Sequence, residues 1–184
     1  MNHPAKRRTR LAVVLALAAF VVMSIAAPAS AAPLPTKRVV NDPFQPGKAY
    51  DILRVTLKAQ PADGDWAKVK VLHSREVQVG DSIDFWFNLD DDKNPDVHVV
   101  GDSFSEFSVF KTDSFLEDGK NISKRDCFRL RMSGQLSVVR FEPDCIGKST
   151  RFNVSIRSSR SDQPKGNDWV RQPGKYTKKV LSHA

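Results

Sequence analysis

Cysteine is nearly missing from this 184-residue chain, which has two. That excludes a disulfide-dense mini-protein. With no Cys-x-x-Cys pair, it also excludes the usual redox motif. Histidine is scarce, four in all, and none sits in a His-rich metal motif. The chain has no Gly-x-Ser-x-Gly elbow, no phosphate loop and no glycosidase-like pair of Glu, so no known class of enzyme is indicated. No apolar run is long enough for a multi-pass membrane protein. Outside the N-terminal segment, no window of 11–18 residues sustains a 3.6-residue period, so a helical bundle is not expected. The charged fraction, 27%, lies near the globular average of about 25%. A disordered polymer and a collagen-like fibre are therefore excluded as well.

What is present begins with an address. Lys6, Arg7, Arg8 and Arg10 form a positive segment, and Leu11 to Ala27 is apolar except for Ser24. Ala29-Ser30-Ala31 supplies the small residues a signal peptidase needs, so residues 1–31 read as a signal peptide cut before Ala32. The competing reading is an uncleaved anchor, but 17 apolar residues are marginal against the roughly 20 needed to span a bilayer. Arg7-Arg8 hints at twin-arginine export, although the residues after it fit ordinary export better. The expected location is extracellular or loosely wall-associated, with no stable membrane insertion after cleavage.

Cleavage changes the charge balance. The whole chain carries 29 basic and 21 acidic residues. Residues 1–31 hold four of the basic and none of the acidic ones, so the remainder is at net +4. Within it, residues 157–184 have seven basic residues against Asp162 and Asp168, a net of +5, which leaves −1 for residues 32–156. The tail is basic and the body is neutral. A nucleic-acid binder carries its positive charge as a patch on the folded domain, and a neutral body predicts none, so no nucleic-acid partner is expected.

A remainder of about 150 residues can bury roughly 68–70% of its unfolded surface, and its periodicity is that of strands. Residues 32–50, with Pro33, Pro35, Pro43 and Pro46, read as an extended leader. Asp51 to Ala59 alternates, with Leu53, Val55 and Leu57 opposite Arg54, Thr56 and Lys58. Trp66 to Leu72 sets Val69 and Val71 opposite Lys68 and Lys70. Ser82 to Leu89 sets Ile83, Phe85, Phe87 and Leu89 opposite Asp84, Trp86 and Asn88. Short strands follow at 97–100 and 105–111. Cys127 to Ser133 and Leu136 to Glu142 flank Gly134-Gln135, which suits a two-residue type II′ hairpin. That register sets Phe128 opposite Phe141 and Leu130 opposite Val139, so the apolar residues share a face. Arg151 to Arg157 completes the set. Seven to nine short strands predict an all-β fold, a single antiparallel β-sandwich over residues 51–158. A basic, partly docked tail then covers residues 159–184.

Three features carry chemistry. Cys127 and Cys145 lie at the open end of the hairpin and are expected to pair, closing a loop worth about 3 kcal/mol. Asp90, Asp92, Asn94 and Asp96 alternate in an acidic loop with the oxygen ligands calcium takes. The EF-hand template fails there, because Pro95 stands where Gly is needed and Gly101 where Glu is needed. Asp, Asn and Pro are also turn formers, so calcium is possible and a solvated turn is the plainer reading; no other cofactor is expected. Trp86, between Asp84 and Asn88 on the polar face of its strand, offers a stacking platform for a sugar. The reading favoured over this is that it lies under the tail against Trp169. His98 can pair with Asp96 or a loop carboxylate, and a half-exposed strand residue is the plainer reading.

Asp51-Ile52, Asn88-Leu89-Asp90-Asp91-Asp92, Pro95-Asp96, the Cys127…Cys145 pair and Asp168-Trp169 occur in an order that resembles a group of uncharacterised small secreted proteins of high-GC Gram-positive bacteria. The resemblance runs from about Asp51 to Trp169. It departs at the Asp-rich loop and at Val170. It implies a sandwich and lends no activity and no catalytic residue. The functional expectation is a secreted, non-catalytic binding module for a glycan or cell-envelope polymer. The alternative is a secreted protein-interaction or inhibitor-type protein.

Overall fold

In a computed structural model, residues 32–64, 66–90, 92–147 and 149–184 are described, so the expected signal peptide lies outside the described residues. Among the described residues there are twelve strands, the longer ones arising where apolar and polar residues alternate. They are β1 (Lys37–Asn41), β2 (Ile52–Lys58), β3 (Ala67–His73), β4 (Asp81–Asn88), β5 (Val97–Asp102), β6 (Phe107–Lys111) and β7 (Lys120–Asn121), then β8 (Phe128–Ser133), β9 (Leu136–Phe141), β10 (Arg151–Arg160), β11 (Asp168–Trp169) and β12 (Val180–Leu181). Among the described residues the helical content is one turn, α1 (Pro143–Ile146), and a 3-10 turn at Ser123–Arg125. All the strand pairings are antiparallel.

The strands form two sheets packed as a β-sandwich. One runs β1-β2-β3-β9-β8; the other runs β11-β10-β4-β5-β6-β7, with β12 also paired to β10. Their inner faces meet in one core. Phe87 and Phe152 from the second sheet meet Phe128 and Phe141 from the first, with centroids 4.9 Å apart for both Phe87–Phe141 and Phe141–Phe152. Such offset and edge contacts add to the gain from burying the rings. Gly101 on β5 permits the sheets to close at one edge, since a Cβ there would sit 2.3 Å from Leu130 Cδ2 on β8.

The β8–β9 hairpin has the register read from the residues: Phe128 faces Phe141 and Leu130 faces Val139. Gly134 has φ +56°, as a primed two-residue turn demands. Glu142 N–H donates to the Cys127 carbonyl, extending the ladder to the disulfide. Cys127 and Cys145 are bridged, with Cα atoms 5.7 Å apart.

The boundaries differ from the sequence reading at both ends. The expected leader contains β1, which pairs with β2 from Lys37↔Lys58 to Asn41↔Arg54. β10 runs on to Arg160 because β4 supplies a partner as far as Asp81. The C-terminal segment is docked rather than loose. Val170, Thr177, Val180 and Ser182 are buried, and β11 and β12 both pair with β10. These two-residue strands bury one apolar side chain at a time, too little to show as a period.

Candidate functional site

The outer face of the second sheet holds the aromatic and acidic candidates. Alternation on β4 points Asp84, Trp86 and Asn88 outward, as read. The register then sets His98 of β5 opposite Trp86, and Arg157 of β10 opposite Asp84. The His98 ring stacks on one side of this strip, 4.6 Å from Trp86 with planes 3° apart. The Trp169 indole stacks 5.3 Å from the same ring. The Arg157 guanidinium lies 5.2 Å from the Trp86 ring and 5.6 Å from the Trp169 ring, within cation–π range.

Of the two readings of Trp86 the structure has the buried one, and the exposed stacking platform is corrected: Trp86 is 2% exposed, because β11 folds back and lays Trp169 over it. The polar groups beneath are consumed by one another. Arg157 Nε donates to Asp84 Oδ2 (2.9 Å), and His98 Nε2 lies 3.0 Å from Asp84 Oδ1. His98 Nδ1 lies 2.8 Å from Asp118 Oδ1, so the residue is buried and paired rather than half-exposed. This chain, buried at Asp84 and His98 and exposed at Asp118, straps β10, β4, β5 and the 112–119 loop together.

Asn88 clamps the acidic loop, its amide donating to the carbonyls of Asp92 (2.8 Å) and Asn94 (2.9 Å). The loop carboxylates turn inward on their own backbone. Asp90 accepts from Asp92 N–H, Asp92 from Asn94 N–H, and Asp96 from Leu89 N–H at 2.7 Å. Burial, with Asp90 and Asp92 nearby, raises the Asp96 pKa. The bonds to Asp90 and Asp92 close Asx turns, that to Asp96 ties the two ends of the loop, and the oxygens are not pooled around one point. Among the described residues, no group of three or more His, Cys, Asp or Glu is placed to hold a metal ion.

A further face was missed in the sequence. Facing residues across the five-stranded sheet run Lys37–Lys58–Lys68–Arg140–Arg129, one from each strand. The next outward row is Val39–Thr56–Lys70–Val138–Arg131, and the third is Asn41–Arg54–Leu72–Leu136–Ser133. All fifteen point away from the core, and eight are Lys or Arg with no Asp or Glu among them. The body thus has the basic patch its near-zero charge argued against. With +8 on this face, the rest of residues 32–156 is at −9. Net charge averages over faces that strand alternation keeps apart.

At the β8–β9 end the face deepens into a groove of about 690 Å³. Leu136 and Val138 contribute apolar surface, with Trp66, Arg129, Arg131 and Arg140 also lining it. The Arg129 guanidinium lies 5.4 Å from the Trp66 ring centroid and is ion-paired to Asp126 at the edge. Half-buried Trp66, immediately before β3, thus has part of its surface in the groove.

Compared with protein-family models, with curated proteins and with solved structures, the chain matches none.

Proposed function

We propose that this is a secreted, non-catalytic binding module that holds an anionic glycan or cell-envelope polymer on the outer face of its five-stranded sheet. The observation that carries the reading is the unbroken basic row Lys37–Lys58–Lys68–Arg140–Arg129, flanked by Lys70, Arg131 and Arg54 with no acidic side chain between them. A single-sign array attracts polyanions and makes binding salt-dependent through release of their counterions. Export is supported by the signal-type N-terminus and the disulfide. Among the described residues, no helix is long and apolar enough to cross a membrane. The inhibitor-type alternative needs an apolar docking patch. Of the large exposed apolar side chains, only Val39 lies on a strand; Phe44, Val79, Phe104 and Leu116 come from four separate loops.

The test is retention of the purified protein on immobilised anionic and neutral polymers over a salt series. Retention only on anionic polymers, lost by about 0.5 M salt where the Debye length is a few Å and weakened by Lys58→Gln with Lys70→Gln, is the expected result. Equal retention on neutral polymers, or retention indifferent to these substitutions, overturns the reading.

A further inference from the structure

We infer that the ligand of the basic face is a carboxylated glycan, laid across the strands with about one sugar per strand and one of its rings against Trp66. The inference rests on the reading above and adds the chemistry and direction of the chain.

The direction follows from the charges. The five-residue row runs perpendicular to the strands, and neighbouring strands lie about 4.8 Å apart, so it spans about 19 Å. Along a strand the outward rows are separated by two residues, and the cations thin out: β9 goes from Arg140 to Val138 to Leu136, and β1 from Lys37 to Val39 to Asn41. A polyanion lying along a strand would meet one or two cations, whereas one lying across the sheet meets five. The strand-to-strand step is close to the length of one sugar unit, so a glycan with one carboxylate per sugar keeps step with the row.

The chemistry follows from what flanks the row. Leu136 and Val138 lie beside the cations in the groove, and Trp66 lies at the β8–β9 end under Arg129. Aromatic rings combined with cations bind ligands that bring both an apolar face and a negative charge. Each unit of an acidic glycan has both: the C–H face of its ring and its carboxylate. Arg140 presents a planar fork that suits a carboxylate bidentately, which the lysines do not, while Arg129 already donates to Asp126. A ring-free phosphate chain uses the cations and leaves Trp66 and the apolar strip without a role.

The probes are polygalacturonate, its methyl ester and inorganic polyphosphate of similar charge number, with single-stranded DNA as a further arm. The purified protein is used, and binding is read by calorimetry and by quenching of tryptophan fluorescence. Polygalacturonate is expected to bind more tightly than polyphosphate, and the methyl ester not at all. Affinity for galacturonate oligomers should rise to about five units and then level off, matching the five strands. Trp66→Ala should weaken polygalacturonate about tenfold, the size of one lost stacking contact, and leave polyphosphate unchanged. Lys37→Gln, at the far edge and remote from Trp66, should shorten the oligomer plateau by about one unit.

Polyphosphate binding as tight as polygalacturonate, or insensitivity to Trp66→Ala in a variant with an unchanged melting curve, overturns this inference and leaves an anionic-polymer module standing. DNA bound most tightly overturns it in favour of a nucleic-acid ligand. Binding of the methyl ester, or of no probe, removes the proposed function and this inference together.

Discussion

Trp169 lies nearly flat on Trp86, ring centroids 5.3 Å apart and planes 14° apart, although 83 positions separate them in sequence. The two-residue strand β11 makes this contact by pairing Trp169 with Arg157 and Asp168 with Ser158. Asp168 Oδ2 accepts from Ile52 N–H at 2.7 Å, so the same short segment also ties the second sheet to the start of β2. Removing the cover should cost stability and hydrate Trp86. Trp169→Ala is expected to destabilise by about 3 kcal/mol and to red-shift the tryptophan emission. A loss below about 0.5 kcal/mol in denaturant unfolding would show that the stack is incidental.

Cys127 and Cys145 close an 18-residue interval containing the β8–β9 hairpin and most of α1. Replacing both with Ser should cost about 3 kcal/mol by the chain-entropy account. Thiol labelling of the denatured, unreduced protein should detect no free cysteine, and two labelled cysteines would refute the pairing.

Two groups at one end of the sandwich couple stability to pH in opposite senses. Burial pulls the His73 pKa down to about 3, and its ring stacks on Tyr50 at 3.7 Å. Between pH 6.5 and 3 the unfolded state holds more protons at this residue, so its contribution falls as the pH falls through that window. Burial first, then the Asp168 and Asp51 carboxylates, push Asp42 up to about 6. Between pH 6 and 4 the folded state holds more protons there, so this contribution rises as the pH falls. Asp42→Asn should therefore stabilise the protein at pH 7 by about 1 kcal/mol after solvent screening, and the gain should vanish by pH 4. His73→Phe should flatten the acid limb between pH 6.5 and 3. A loss of stability for Asp42→Asn at pH 7, or an unchanged acid limb for His73→Phe, contradicts this.

The acidic loop should respond to its hydrogen bonds and not to calcium. Asp92 accepts from Asn94 N–H at 2.7 Å, and Asp92→Ala is expected to cost about 1 kcal/mol. Calcium or chelator should leave the melting temperature unchanged. A calcium-dependent rise of several degrees that Asp92→Ala abolishes would identify a metal site.

Local structure was legible where two neighbouring segments determine each other. Gly134-Gln135 and the flanking apolar residues defined the β8–β9 register, and the alternation on β4 put Asp84, Trp86 and Asn88 on the correct face. Trp169 was legible as the residue to cover Trp86, but the strands that carry the cover were not, because β11 and β12 are two residues each. β1 was hidden among prolines as an edge strand. The basic row was hidden more thoroughly. Lys37, Lys58, Lys68, Arg129 and Arg140 are spread over a hundred positions, and the β3–β9 pairing that completes the row joins segments no local rule connects. Alternation had placed Lys58 and Lys68 opposite apolar neighbours; only the sheet order lined them up.

The C-terminal lysines and the sheet face make different claims on an anionic polymer, and substitutions separate them. Residues 157–184, at net +5, are the second basic element that an anionic polymer meets, and the alternative electrostatic tether. In the fold this segment is a structural cover: Val180 and Ser182 are fully buried, Thr177 Oγ1 accepts from Val154 N–H, and Lys179 Nζ donates to the Asp90 carbonyl. Ending the chain at Pro173 should therefore destabilise the sandwich, exposing Phe152 and Val154 of β10. Any loss of retention in that truncation would reflect unfolding. Lys175→Gln with Lys178→Gln removes two charges and leaves the buried anchors in place. Lys58→Gln with Lys70→Gln removes two from the face. Both pairs should fold with nearly parental melting temperatures, since exposed charges contribute little to stability. The face pair is expected to lower polymer affinity and reduce the salt slope by about two, one per lost contact. The tail pair should leave the slope unchanged. The reverse pattern would return the tether to the tail and remove the sheet face from the binding site.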